Sequence, residues 1–220
     1  MIKPISIIAK TITCKNEVLV LTNQRAIYWE KEQSLILSDL HIGKSAHFQK
    51  SGIPIPSSIL QQDLLRLQEL IHHFNATTLI VVGDLFHAEY NKDLDDFKNW
   101  LQQFPDLKIQ LIKGNHDRLS NGIYNQFNIE VTSKELQLGS LKFVHDFTSI
   151  DKDYFTISGH THPGVFIKGK AKQRIKLPCY QVTKDQLILP AFSLFTGLNT
   201  KDAPDKCKNY GFTDDGIFEV

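Results

Sequence analysis

Five hydrophobic runs in this 220-residue chain each end in residues that ligate metals through oxygen or imidazole nitrogen. That recurrence constrains the fold more than any other feature. The central run is Leu79-Ile80-Val81-Val82, followed by Gly83-Asp84-Leu85-Phe86-His87. Its β-branched residues and length suit a strand buried on both faces. Gly83 ends the run and leaves Asp84 at the C-terminal mouth of a strand, where open α/β sheets bind ligands. The other four are Leu35-Ile36-Leu37-Ser38-Asp39-Leu40-His41, Ile109-Gln110-Leu111-Ile112-Lys113-Gly114-Asn115-His116-Asp117, Leu141-Lys142-Phe143-Val144-His145 and Tyr154-Phe155-Thr156-Ile157-Ser158-Gly159-His160-Thr161-His162.

The ends hold Asp, Asn and His and no cysteine, a donor set that suits manganese, iron, zinc or magnesium better than a soft metal. Seven residues qualify as ligands: Asp39, His41, Asp84, Asn115, His145, His160 and His162. Seven exceeds the needs of one four-coordinate ion. It fits two ions sharing a bridge, roughly 3.5–4 Å apart as in two-metal phosphoester chemistry.

The remaining pattern supplies a scaffold. Ile5–Ile8, Val18–Leu21, Ala26–Trp29 and Leu35–Leu37, broken by turn residues, predict a small antiparallel meander. Gly43–Phe48 is expected as a loop or short helix, which places Lys44 and His47 as candidates for phosphate contact. Gly52–Pro56 is expected to be extended. Leu60, Leu64, Leu67, Ile71 and Phe74 recur at helical spacing behind a cap at Ser57 or Ser58. A second helix is expected from about Leu94 to Phe104, stopped by Pro105. Strand–helix–strand alternation from 35 to 113 predicts a parallel sheet. Beyond 129 the helical period fades, and strands are expected near Glu135–Leu138, Leu141–Val144, Phe155–Ser158, Val165–Ile167, Arg174–Leu177 and Leu187–Leu189. Asn199–Asn209, rich in Lys, Asp, Asn and Pro, is expected as a loose surface segment.

Asp-x-His, Gly-Asp, Gly-Asn-His-Asp, His and Gly-His-x-His, in that order, resemble the calcineurin-like metallophosphoesterase superfamily. The blocks span residues 38 to 163, most of the chain. The resemblance implies an α/β/β/α sandwich of two mixed β-sheets flanked by helices, here as a single domain over 1–220. It also implies that Asp39, His41 and His162 hold one metal, that Asn115, His145 and His160 hold the other, and that Asp84 bridges them. Two divalent ions are then the cofactors, manganese first, with iron, zinc or magnesium as alternatives. A metal-bridging hydroxide would be the nucleophile, made accessible because metal binding lowers the pKa of water from 15.7 toward about 7. His116 would protonate the leaving oxygen as general acid, with Asp117 orienting it by hydrogen bonding.

Gly83-Asp84-Leu85-Phe86-His87 is similar to the double-strand-break repair nucleases of this superfamily. It also matches their relatives encoded beside a DNA ligase, the ligase-associated DNA damage response endonucleases. Leu177-Pro178-Cys179-Tyr180 and Leu189-Pro190-Ala191-Phe192-Ser193-Leu194-Phe195-Thr196-Gly197 look like the closing segment of the second group. The implied partner is DNA, single-stranded or at frayed ends, with a functional link to a DNA ligase and a role in DNA repair. Lys44, His87 and Arg118 are the candidate substrate contacts, with Lys50 and Lys113 near the same loops. The competing class is hydrolysis of a small or lipid-linked nucleotide, as in UDP-diacylglucosamine hydrolases. Those tend to carry Glu where His87 stands, together with an inserted helical region. A metal-bound scaffold without activity ranks last, because all seven ligands and His116 are intact.

Composition narrows the partners. Formal net charge is +1 with nine histidines neutral, which excludes a strongly basic nucleic-acid binder but permits a local basic patch. No apolar run reaches the roughly 18 residues of a membrane span, and the N-terminal stretch lacks a signal-peptide pattern. Cys14, Cys179 and Cys207 are odd in number and lack Cys-x-x-Cys spacing, as expected of reduced structural thiols in a cytoplasmic protein.

Overall fold

Alternation near the N-terminus becomes an antiparallel meander of β1 (Ala9–Cys14), β2 (Glu17–Thr22), β3 (Ile27–Trp29) and β4 (Ser34–Leu37). The computed structural model describes residues 5–56, 58–87, 89–168 and 174–220. The first strand lies later than the Ile5–Ile8 expected from the sequence. Ile8 is held through both its backbone groups by Asn23 (2.9 and 3.0 Å). Pairing with β2 begins only at Ala9, where Ile12 and Cys14 lean into the core.

Parallel strands then extend the sheet. A short α1 (Lys44–Lys50) precedes α2 (Ser58–Phe74), β5 (Thr78–Val82), α3 (Lys92–Leu101), β6 (Lys108–Ile112), α4 (Asn121–Gln126) and β7 (Ile129–Thr132). The order is β1-β2-β3-β4-β5-β6-β7, antiparallel up to β4 and parallel from β4 onward. Leu60, Leu64, Leu67, Leu70 and Ile71 form the buried stripe of α2. Each contributes roughly 1.5–3 kcal/mol by leaving water. Of the two candidate caps, Ser58 is the first residue of α2, and Ser57 lies outside the described residues. The next helix starts before Leu94, because the Asn91 side chain accepts the Asp93 amide (3.0 Å) and caps it at Lys92.

The second sheet holds β8 (Glu135–Leu138), β9 (Leu141–Val144), β10 (Phe155–Ser158), β12 (Arg174–Val182), β13 (Gln186–Ile188), β14 (Lys208–Thr213) and β15 (Gly216–Glu219). β10 is parallel to its neighbours β9 and β13, and the other pairings are antiparallel. β11 (Gly164–Lys168) pairs only with β12 and stands off the main order.

Alternate residues of β4 separate two cores. Leu35 and Leu37 pack with α2 and α3, whereas Ile36 joins Ile80, Val82, Phe143, Phe155, Ile157 and Tyr180 between the sheets. Burial on both faces explains why these strands read as unbroken apolar runs. Two mixed sheets flanked by helices thus form the metallophosphoesterase sandwich expected from the sequence.

The C-terminal stretch departs from expectation. Lys208 and Asn209 belong to β14, which pairs with both β12 and β15. Asn199 forms a parallel bridge with Pro163. The segment expected to be loose therefore begins and ends in backbone pairing, and lysines and asparagines conceal this because side chains on the outer face of a strand can stay polar while others pack inward.

Candidate metal centre

All seven expected ligands follow C-terminal strand ends. Asp39 and His41 follow β4, Asp84 follows β5 and Asn115 follows β6; His145 follows β9, and His160 and His162 follow β10. The loops are laced together: Asp39 donates its amide to Gly83 O (3.0 Å), His41 to Asp84 O (2.9 Å) and Gly159 to His145 O (3.1 Å). Bonds between the two sheets meet at the site, among them one from the His160 amide to Asp39 Oδ2 (3.1 Å).

Donor atoms gather in two groups. Those of Asp39, His41 and His162 lie within 4.8 Å of one another, and so do those of Asp84, His145 and His160. Asn115 joins the second group, its Oδ1 standing 3.1 Å from His145 Nε2. Asp84 places Oδ2 at 3.4 Å from His145 Nε2, and its Oδ1 accepts the His116 amide (2.9 Å).

The residues fit divalent cations. Asp39 Oδ1 and both ring nitrogens of His41 are buried and lack hydrogen-bond partners among the described residues. Such orphaned groups cost stability unless something satisfies them. Asp39 Oδ1 lies 3.1 Å from His162 Nε2 and 4.0 Å from His41 Nε2, so lone pairs crowd one point. His145 holds Nδ1 against Val82 O (3.0 Å), which leaves Nε2 facing Asp84, as metal-ligating imidazoles are commonly oriented.

Backbone strain points the same way. Five of the seven adopt left-handed φ: Asp39 (57°), His41 (50°), Asp84 (55°), His160 (68°) and His162 (50°). Asp and His visit this region more readily than most residues, and such strain clusters at functional sites. Two glycines make the packing feasible. A Cβ at Gly83, itself at φ 83°, would lie 2.0 Å from His145 Nδ1, and one at Gly114 would lie 2.2 Å from Asp84 Oδ1.

Electrostatics separates the histidines. Burial pushes His41 down to about 3, so it stays neutral and ready to donate a lone pair. Burial also opposes charge on His145, but Asp84, Asp39 and the Val82 carbonyl outweigh it and hold this imidazole up at about 9. Burial would raise Asp84, yet His145, the His116 amide and His41 draw it down to about 2. A divalent cation held by His145 would take the place of its proton, because an imidazole ligates metal in its neutral form.

His116 stacks on His87 (4.7 Å between centroids, 25°) and meets His41 edge-on (5.3 Å). His87 also touches His41 (5.6 Å) and His47 (5.5 Å), and burial, followed by the neighbouring His116, Lys44 and His47, lowers it to about 4. Lys44 is half-buried at the start of α1, its ammonium 5.4 Å from the Phe195 ring, and burial lowers it despite Asp39 and Asp84. The other cations are less directed. Arg118 is exposed and donates Nε to Asn115 O (2.9 Å), Lys113 lies over Tyr124 (4.9 Å), and Lys50 sits exposed at the end of α1.

Asp117 requires a correction. It was expected to hydrogen-bond His116, but its buried carboxylate accepts three backbone amides instead: Asp84 (2.7 Å), Gly114 (2.9 Å) and Phe86 (3.0 Å). Burial raises it to about 6 against those amides. It clamps the β5 loop to the β6 loop. Asp117→Ala would strand three donors and should cost roughly 3 kcal/mol, lowering Tm by about 6–12 °C in a chain of this length. An unchanged melting curve would remove the clamp.

Sequence reasoning overlooked a second clamp. Arg66 bonds Asp63 (2.9 Å) and the Phe192 carbonyl, Asp63 accepts the Leu194 amide (3.1 Å), and Arg25 donates to Ala191 O and Ser193 O (3.1 and 2.9 Å). The held segment passes its Phe192 and Ser193 amides to Ser38 O and Asp39 O (2.8 and 3.2 Å). A signal existed: Asp63 and Arg66 are charged yet lie among the buried positions of α2.

The profile of the calcineurin-like phosphoesterases matches residues 34–189. A search of curated proteins found no significant match. Among solved structures, the chain is similar to the Pseudomonas putida nuclease MPE, at 26% identity and TM-score 0.81 over 97% of this chain and 100% of that one. Weaker likenesses are to YfcE, a phosphoesterase from E. coli (16% identity, TM-score 0.47, 85% of this chain and 97% of that one), and to zinc-complexed Vps29 from Entamoeba histolytica (16%, 0.38, 85% and 96%).

Proposed function

The chain belongs to the calcineurin-like phosphoesterase family, and from that premise we propose that it is a two-metal phosphodiesterase that cleaves DNA. It is a metal-dependent hydrolase with two candidate metal sites. No helix among the described residues is long and apolar enough to cross a membrane.

The observation that carries the reading is the pair of donor groups with His116 beside them. Asp39, His41 and His162 would hold one ion and Asn115, His145 and His160 the other, with Asp84 between. Bound divalent ions lower the pKa of water toward about 7 and neutralise charge on phosphoryl oxygens. The chain's own residues supply the rest. Val82 O orients His145, and Asp117 and the Arg66–Asp63 pair hold the loops. His116 gives a proton to the leaving oxygen, its ring kept in place by His87. Lys44 adds positive charge where a phosphate would enter.

Manganese is the metal we favour, because carboxylate, amide and imidazole donors without thiolate suit it. DNA as substrate, and a role in its repair, is supported by the likeness to a nuclease along nearly the whole chain and by the Gly83–His87 and Leu189–Gly197 segments.

The test is a substrate panel with Mn²⁺: single-stranded DNA, duplex DNA and a UDP-linked lipid. Nicking of DNA with a preference for single strands is expected, and excess chelator should abolish it. Rapid turnover of the UDP-linked lipid with no nicking at matched enzyme concentration would reject the nuclease reading and keep the two-metal site.

A further inference from the structure

The β11–β12 pair leaves the metal centre as an arm. Only Pro163 separates His162 from Gly164, the first residue of β11. The root is tied down by three bonds: Asn199 donates its amide to His162 O (2.9 Å), Gly164 to Asn199 O (2.7 Å) and Cys179 to Pro163 O (3.2 Å).

The register assigns the faces. Gly164 opposes Pro178, Phe166 opposes Lys176, and Lys168 opposes Arg174. Opposed residues share a face and successive ones alternate, so Phe166, Lys168, Arg174 and Lys176 lie together. The other face carries Val165, Ile167, Ile175 and Leu177, and its Val165 is buried. On the first face Phe166 is 49% exposed, all three cations are exposed, and the Lys176 ammonium stands 6.0 Å from the Phe166 centroid. The described arm contains no carboxylate, and no described ion pair engages its cations. In a chain of formal net charge +1, this is a local concentration of positive charge.

We propose that this face of the β11–β12 arm binds single-stranded nucleic acid and leads it to the metal centre, an inference that rests on the nuclease reading. Unpaired cations on one side of a ribbon suit the spaced charges of a phosphate backbone. An exposed aromatic ring among them suits unstacked bases, since every base offers a π-face. The placement favours a polynucleotide over an anionic membrane. At about 3.4 Å per residue, Lys168 lies roughly 20 Å along the strand from His162, so a chain held on the arm continues toward the ligands.

The test measures binding of fluorescein-labelled oligothymidylate by anisotropy in chelator, where nothing is cleaved, over a range of salt. The variants are Lys168→Gln combined with Arg174→Gln, and Phe166→Ala separately. All sit on an exposed surface, and hydrolysis of bis-p-nitrophenyl phosphate with Mn²⁺ checks that the centre is intact. Losing two phosphate contacts should lower the slope of log affinity against log salt by about 1.4. Phe166→Ala should weaken binding roughly five- to hundredfold, the range of one base–aromatic stack. Unchanged slope and affinity in both variants would overturn the proposal, as would wild-type protein that fails to bind. Loss of binding to phosphatidylserine vesicles with oligothymidylate binding intact would reassign the arm to a membrane. Wild-type protein that binds oligothymidylate and hydrolyses the small diester, yet never cuts DNA, would sink the nuclease reading and leave the arm standing.

Discussion

Asp84→Asn should deplete both metal positions and lower phosphodiester hydrolysis by roughly 10³-fold or more, the scale of several kcal/mol of lost charge stabilisation. Asparagine is the informative replacement because it keeps the shape and tolerates the left-handed backbone at φ 55°. What it removes is the charge that draws His145 to 3.4 Å and would be shared between two ions. Asp84→Ala should do the same with added destabilisation. His41→Ala should behave differently, because His41 groups with Asp39 and His162 and not with His145 and His160. Elemental analysis of the dialysed proteins distinguishes these results. Two metals per chain in Asp84→Asn would refute the bridging role.

His116→Ala should keep its metals and still slow hydrolysis of an alkyl phosphodiester by about 10²–10⁴-fold, the usual contribution of a positioned acid or base. No described side-chain bond holds this imidazole. Its position comes from the amide bond to Asp84 (2.9 Å) and from stacking on His87 (4.7 Å). A leaving group that departs without protonation, such as p-nitrophenolate, should suffer much less. Equal losses on both substrates, measured as kcat/KM, would argue against proton donation and for a role in binding.

The metal-ligand candidates were legible because their signal is local. A buried strand needs an apolar run, a turn follows, and the residue after the turn faces the open end of the sheet. Asp39, Asp84, Asn115, His145 and His160 each occupy such a place, and a Gly directly precedes three of them. The α2 stripe and the parallel order from β4 to β6 were legible for the same reason, as periodicity and alternation are properties of short windows. β7 and the β14–β15 hairpin were not. Ile129–Thr132 is only four residues long, and Lys208–Thr213 carries few apolar residues. Their membership depends on neighbours that are distant in sequence.

Asp117 marks the boundary between the two kinds of information. Its place after Asn115 and His116 pointed to an imidazole partner, but adjacency along the chain does not set where a carboxylate points. Three amides from two loops compete for it, and in a buried site a carboxylate goes where the most donors are otherwise unsatisfied. The same holds for Asp63, Arg66 and Arg25, whose value to the site appears only when Ala191–Leu194 folds across them. Residue types and their spacing along single strands by themselves marked the candidate donors and a two-sheet layout, and the order of the motif blocks carried the resemblance that implied phosphoesterase chemistry. Only the tertiary structure decided which carboxylate clamps loops, that Ala191–Leu194 is held by Arg25 and the Arg66–Asp63 pair, and that the cations of β11 and β12 share one exposed face. Those outcomes rest on strand register and on long-range hydrogen bonds between segments far apart in sequence, which no short window of sequence encodes.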